Sequence, residues 1–187
     1  TPQIWCSDDT DAIERIQIQY GTSFGYPISA VGSHVSAVPN HQVGRTTPFK
    51  MRCDVALPGQ FGFELDLNAC TEKEIEQAKV SIEEYRKLQQ VFHKGDCYRL
   101  VSPFEKDMSV LEFVSDDKNT VVLCIYCKKA MPNAGDVYIK LSGLCEDAKY
   151  TLESNGTTYG GDLLQNRGYR FANGWEHSSK ILVFKKN

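Results

Sequence analysis

Apolar positions in the first half of the chain follow two periods in turn. Gln3 to Cys6 carries a short apolar run and reads as the end of a strand. From Asp11 to Tyr20, Ile13, Ile16 and Tyr20 fall at i, i+3 and i+7, which predicts a short helix stopped by Gly21. Residues 22–54 show no period and are rich in Gly, Ser, Pro, Thr and Asn, with few charges before Arg45. They read as one long connection, and long structured loops are often functional. Phe61 to Leu67 reads as a second strand. A clear helix runs from Glu72 to His93, with Thr71 as N-cap and Glu72 and Glu74 in the first turn, where the helix dipole favours acids. Ile75, Ala78, Ile82, Tyr85 and Phe92 make its apolar face, and Lys94 and Gly95 close it.

The pattern changes at Asp96. Short β-branched and aromatic runs follow: Cys97 to Val101, Ser109 to Ser115, Thr120 to Cys127, Val137 to Leu141, Tyr150 to Glu153 and Lys180 to Phe184. Turn signals separate them, and no segment after Asp96 reads as a helix. The expected fold class is α/β plus β. Residues 1–95 supply strand–helix units, and residues 96–187 form an all-β antiparallel sandwich that closes its own core. Two strands and two helices cannot cover a sheet on both faces. The first 95 residues are therefore expected to be the last part of a larger α/β domain, its other strands preceding Thr1. Sheet edges left open there would draw in a partner.

Composition narrows the function classes. The chain has 187 residues, 41% of them hydrophobic and 24% charged, ordinary values for a globular protein. A net charge of −3 argues against nucleic acid as a partner. No stretch approaches the roughly 18 apolar residues of a membrane span. Seven scattered cysteines do not suggest a disulfide framework, so reduced thiols and a cytoplasmic location are expected. Cys124 and Cys127 form a CxxC pair, but it lacks the second pair a zinc site needs.

The chemistry concentrates at Ser7-Asp8-Asp9-Thr10-Asp11, where three carboxylates crowd between strand and helix. Either all of them cap the helix and stay solvated, or one of them reacts. Asp8 is the first acid after the apolar run, the place of a catalytic group if the parent domain is a parallel barrel. The spacing of a calcium loop is absent. His34 and His41 read as loop residues fixing an irregular backbone rather than as metal ligands. Arg45 could bind a carboxylate or phosphate, an intramolecular partner being the default.

Taken together, several segments are recognisable. Pro2-Gln3-Ile4-Trp5-Cys6-Ser7-Asp8-Asp9-Thr10-Asp11-Ala12-Ile13-Glu14-Arg15, then Ile18 to Ser23, His34-Val35-Ser36, Pro39-Asn40-His41-Gln42 and Gly44-Arg45 resemble the α-galactosidases of glycoside hydrolase family 36, the melibiases. The likeness continues in Gly59, Phe61 to Leu67, Tyr98-Arg99-Leu100, Ser102-Pro103-Phe104-Glu105 and Tyr159-Gly160-Gly161-Asp162. Cys6 stands where many relatives have Thr, and Phe63 where Tyr is common.

The resemblance implies a (β/α)8 barrel followed by a C-terminal β-domain, this chain holding the last two strand–helix units and that domain. It makes Asp8 the general acid/base. It places the nucleophilic Asp in a Lys-Trp-Asp type motif on an earlier strand, which this sequence does not contain, so the chain alone is expected to be inactive. It further implies terminal α-galactosides such as melibiose and raffinose as substrates, no metal or cofactor, and a homo-oligomer that includes the remainder of the parent polypeptide. Two alternatives stay open: a non-catalytic carbohydrate-binding or assembly module built on residues 96–187, and α-N-acetylgalactosaminidase activity.

Overall fold

A computed structural model describes residues 3–172 and 174–187. Thr1, Asn173 and Pro2, which heads the recognisable stretch, lie outside the described residues.

The first part contains three strand–helix units rather than two. Ile4 bridges Val31 in parallel and leads into α1 (Ala12–Thr22). Strand β1 (Gly32–Ser36) leads into α2 (Phe49–Ala56), and β2 (Gln60–Glu64) into α3 (Glu72–Lys94). β1 and β2 pair in parallel, from Gly32 opposite Gln60 to Ser36 opposite Glu64. The expected strand at Gln3 to Cys6 is thus a single bridge at Ile4, and the expected Phe61 to Leu67 strand lies slightly earlier. α1 runs through Gly21 to Thr22, and Ser23 caps it. Thr71 and Glu74 form a reciprocal capping box on α3, and Gly95 ends it.

The reading of residues 22–54 as one connection is therefore corrected. β1 reads Gly-Ser-His-Val-Ser and is buried from both sides except at His34. Its partners demand small residues: a Cβ on Gly59 would come within 2.6 Å of the Val31 carbonyl oxygen. Ser33 is fully buried, yet its hydroxyl donates to Gln19 Oε1 at 3.0 Å. Small, internally satisfied polar residues mimic a loop. α2 escaped for the opposite reason. Seven of its eight residues are buried, so no wet face marks a helical period. Its Arg52 donates to the Ser36 carbonyl at 2.6 Å and to Glu74 at 3.1 Å.

Residues 96–187 form a six-stranded antiparallel sheet. It is built from β3 (Asp96–Val101), β4 (Met108–Val114), β5 (Thr120–Cys127), β7 (Lys149–Leu152), β8 (Thr158–Gly160) and β10 (Ser178–Lys186). The spatial order is β3-β4-β5-β10-β7-β8. A separate ribbon pairs β6 (Val137–Ile139) with β9 (Tyr169–Phe171). A short helix, α4 (Gly161–Asn166), interrupts this part, contrary to the all-β expectation. Six residues opening on glycine carry no period to read.

The large sheet is covered on both faces, from two sources. Val110, Val121, Leu123, Ile125 and Phe184 pack with Ile139, Leu144, Leu164 and Phe171 from the ribbon side, a sandwich-like arrangement. Leu111, Phe113, Val122, Cys124 and Tyr126 pack instead with Ile13, Ile16, Leu88, Val91 and Phe92 of α1 and α3. The β-part therefore does not close its core alone. No helix among the described residues is long and apolar enough to cross a membrane.

Candidate active site

The parallel strands have two unlike faces. Val35, Phe61 and Phe63 face α2 and α3. Gln3, His34, Gln60 and Gly62 line an open groove on the other face, which Phe61 and Phe63 also border. Trp5 and Glu64 join that face, since the Trp5 ring lies 4.8 Å from the His34 ring and Glu64 Oε2 lies 3.7 Å from His34 Nδ1. Burial lowers the pKa of His34, Glu64 opposes that shift, and the Arg15 charge adds to it. This favours the neutral imidazole. No helix among the described residues packs on the polar face.

At the exit of the first strand segment the three acids divide their roles. Asp11 is the N-cap of α1, its Oδ2 accepting the backbone N–H groups of Ile13 and Glu14 at 3.1 Å each. It is buried, and the Arg45 guanidinium donates to the same oxygen. Asp9 Oδ1 accepts the Asp11 N–H at 2.9 Å, and Ser7 Oγ accepts the Asp9 N–H at 3.0 Å. Both acids serve the turn. Asp8 does not: it is exposed, and its Oδ1 accepts the indole N–H of Trp5 at 2.9 Å.

The turn is braced from two directions. Arg15, buried on α1, donates to the carbonyl of Ser7 at 3.2 Å and to that of Gly32, tying the strand exit to β1. Asn40 donates to Thr10 Oγ1 at 3.1 Å, and its own Oδ1 accepts the N–H groups of Gln42 and Val43. The connection after β1 is thus folded against the acidic turn, and Arg45 takes the intramolecular partner.

The other candidates separate. His34 belongs to β1, not to a loop, whereas His41 sits in an exposed turn. Cys124 and Cys127 are three apart on β5 and so face opposite sides, the first toward the helices and the second toward the ribbon. One metal ion cannot meet both. Burial raises the pKa of both thiols. All seven cysteines are free, and no group of three His, Cys, Asp or Glu among the described residues could hold a metal ion. Trp5, Arg15 and Glu64 went unnoticed as site residues. The i, i+3 spacing of Trp5 and Asp8 was a usable signal, but a buried Arg inside a helix carries none.

Comparison with known proteins gives the same picture throughout. Residues 1–95 match the Melibiase family, and residues 108–184 match the Glycosyl hydrolase family 36 C-terminal domain. The chain is 43% identical over 168 residues to the bifunctional alpha-galactosidase/sucrose kinase AgaSK of Mediterraneibacter gnavus, covering 90% of this chain and 18% of that protein. It is 46% identical over 167 residues to alpha-galactosidase AgaA of Geobacillus stearothermophilus, covering 89% and 23%. The galactosidase domain of AgaSK superposes on the whole chain with a TM-score of 0.96 at 39% identity, the chain covering 26% of it. A substituted AgaA variant in complex with raffinose superposes on 99% of the chain with a TM-score of 0.95 at 41% identity, the chain again covering 26%. The chain thus spans about a quarter or less of the length of these relatives. The chain belongs to the melibiase family, within glycosyl hydrolase family 36.

Proposed function

We propose that this chain is the C-terminal part of a retaining exo-α-galactosidase, acting on terminal α-linked galactose in oligosaccharides such as melibiose and raffinose, with Asp8 as general acid/base. The observation that carries the proposal is the division of labour among the three acids. Asp9 and Asp11 are engaged in the turn and the helix cap, while Asp8 is exposed at the end of a parallel strand segment. The raffinose complex of AgaA supports the substrate class.

On this reading the three parallel strands are the last of a (β/α)8 barrel, and their uncovered polar face is its interior. Catalytic groups of such barrels stand at the C-terminal ends of the strands. A nucleophilic Asp comes from the polypeptide outside this chain, with the two carboxyl groups roughly 5 to 5.5 Å apart. The nucleophile attacks the anomeric carbon while protonated Asp8 gives its proton to the departing glycosidic oxygen. The covalent galactosyl–enzyme remains. Asp8, now a carboxylate, takes a proton from water, and the hydroxide equivalent displaces the nucleophile. Homo-oligomerisation belongs to the same proposal.

Asp8→Asn in the full-length enzyme is the test. Melibiose hydrolysis should fall by about 100- to 10,000-fold, the usual worth of general acid–base catalysis. Activated aryl galactosides, which need no proton on the leaving group, should form the intermediate at near-parental rate, and azide should speed its breakdown. Melibiose turnover near the parental level would show that Asp8 is not the acid/base.

A further inference from the structure

We propose that Trp5 is a positioning residue for Asp8: its indole N–H fixes which carboxyl oxygen carries the transferable proton. The inference rests on the acid/base reading above. An indole nitrogen is a donor only. Facing it at 2.9 Å, Asp8 Oδ1 must act as acceptor. The carbonyl oxygen of a carboxylic acid accepts more strongly than its hydroxyl oxygen, so in the protonated acid the contact favours Oδ1 as the carbonyl and the proton on Oδ2. In the carboxylate the same N–H supports the negative charge. The contact serves both protonation states without reorientation.

Trp5 is itself held. Its ring rests on that of His34, with centroids 4.8 Å apart and planes 36° apart, and His34 meets Glu64 on the next strand. Burial keeps His34 toward its neutral form. The backbone between Trp5 and Asp8 is anchored at the Ser7 carbonyl by Arg15. Within this chain, 54% of Trp5 is exposed. What its side chain does is donate to Asp8 and rest on a histidine from the neighbouring strand.

The test uses the full-length enzyme with Trp5→Phe, which keeps a ring over His34 and removes the donor. A hydrogen bond to a charged group is worth about 1.5 to 3 kcal/mol. Trp5→Phe should therefore lower kcat/KM for melibiose by roughly 10- to 100-fold, while a dinitrophenyl galactoside loses less than about threefold. In the Asp8→Asn background, Trp5→Phe should add less than about threefold on melibiose, because the proton it positions is gone. His34→Ala, which loosens Trp5 without touching Asp8, should give the same leaving-group-selective loss at smaller size and covers the case of a Trp5→Phe protein that does not fold. Equal losses on both substrates, or a full additive loss in the Asp8→Asn background, would overturn the proposal while leaving the role of Asp8 intact. Near-parental melibiose turnover by Asp8→Asn alone would overturn both.

Discussion

Single residues show where the chain could be read and where it could not. The choice between capping and reaction at Asp8, Asp9 and Asp11 was legible, because like charges crowd at a strand-to-helix junction. Which acids cap was not, since capping depends on backbone angles: Asp11 sits at φ −65° and ψ 126°, the extended geometry an N-cap needs. Glu112 was invisible. It lies on β4 with Val110 and Val114, on what would be a wet face if the sheet had one. Both faces are covered, so Glu112 is fully buried; Oε2 accepts the Ser142 N–H at 2.8 Å and Oε1 has no partner. Burial pushes its pKa up to about 8, against the Ser142 hydrogen bond. The native state then keeps a proton that the unfolded chain releases near 4.5, the ordinary value for a glutamate, so this contribution to stability falls as pH rises from 4.5 to about 8. Across that window the loss is on the order of 4 kcal/mol. Glu112→Gln lacks this titration. Urea unfolding at pH 5 and pH 8 should show a smaller fall in stability for the variant than for the parent. Equal falls would mean that Glu112 is charged or solvated in the native protein.

Among elements, those with one wet and one dry face were legible. α1 and α3 have such faces, and the capping box of α3 was readable as Thr71 followed by Glu74. β1 and α2 have none, one being small and polar yet buried, the other buried nearly all round. The N-terminus of α1 also carries a prediction. Asp11 accepts two backbone N–H groups and the Arg45 guanidinium from a buried position. Asp11→Ala removes the cap, worth about 0.5 to 2 kcal/mol, and leaves Arg45 without that partner. A loss of about 2 to 4 kcal/mol is expected on chemical denaturation. Asp9→Ala, which gives up one turn contact, should cost less than about 1.5 kcal/mol. Similar losses for the two would contradict the assigned N-cap.

At the level of the whole molecule, the change of pattern at Asp96 was legible, but the packing across it was not. A sheet's own sequence does not say who covers its second face. Here α1 and α3 do, through Ile13, Ile16, Leu88, Val91 and Phe92. Residues 96–187 expressed alone should therefore expose Leu111, Phe113, Val122 and Tyr126, bind a hydrophobic dye and lack a cooperative thermal transition. A monomeric, dye-silent and cooperatively unfolding 96–187 would show that the β-part is self-sufficient.

The most direct test of Asp8 as acid/base is a crystal structure of the full-length enzyme carrying Asp8→Asn, with raffinose bound. The account predicts the amide at position 8 within roughly 2.6 to 3.2 Å of the galactosidic oxygen. It further places a second carboxylate, from the upstream polypeptide, on the other side of the anomeric carbon. A raffinose whose galactosidic oxygen meets a different acid, with position 8 turned away from the sugar, would contradict it.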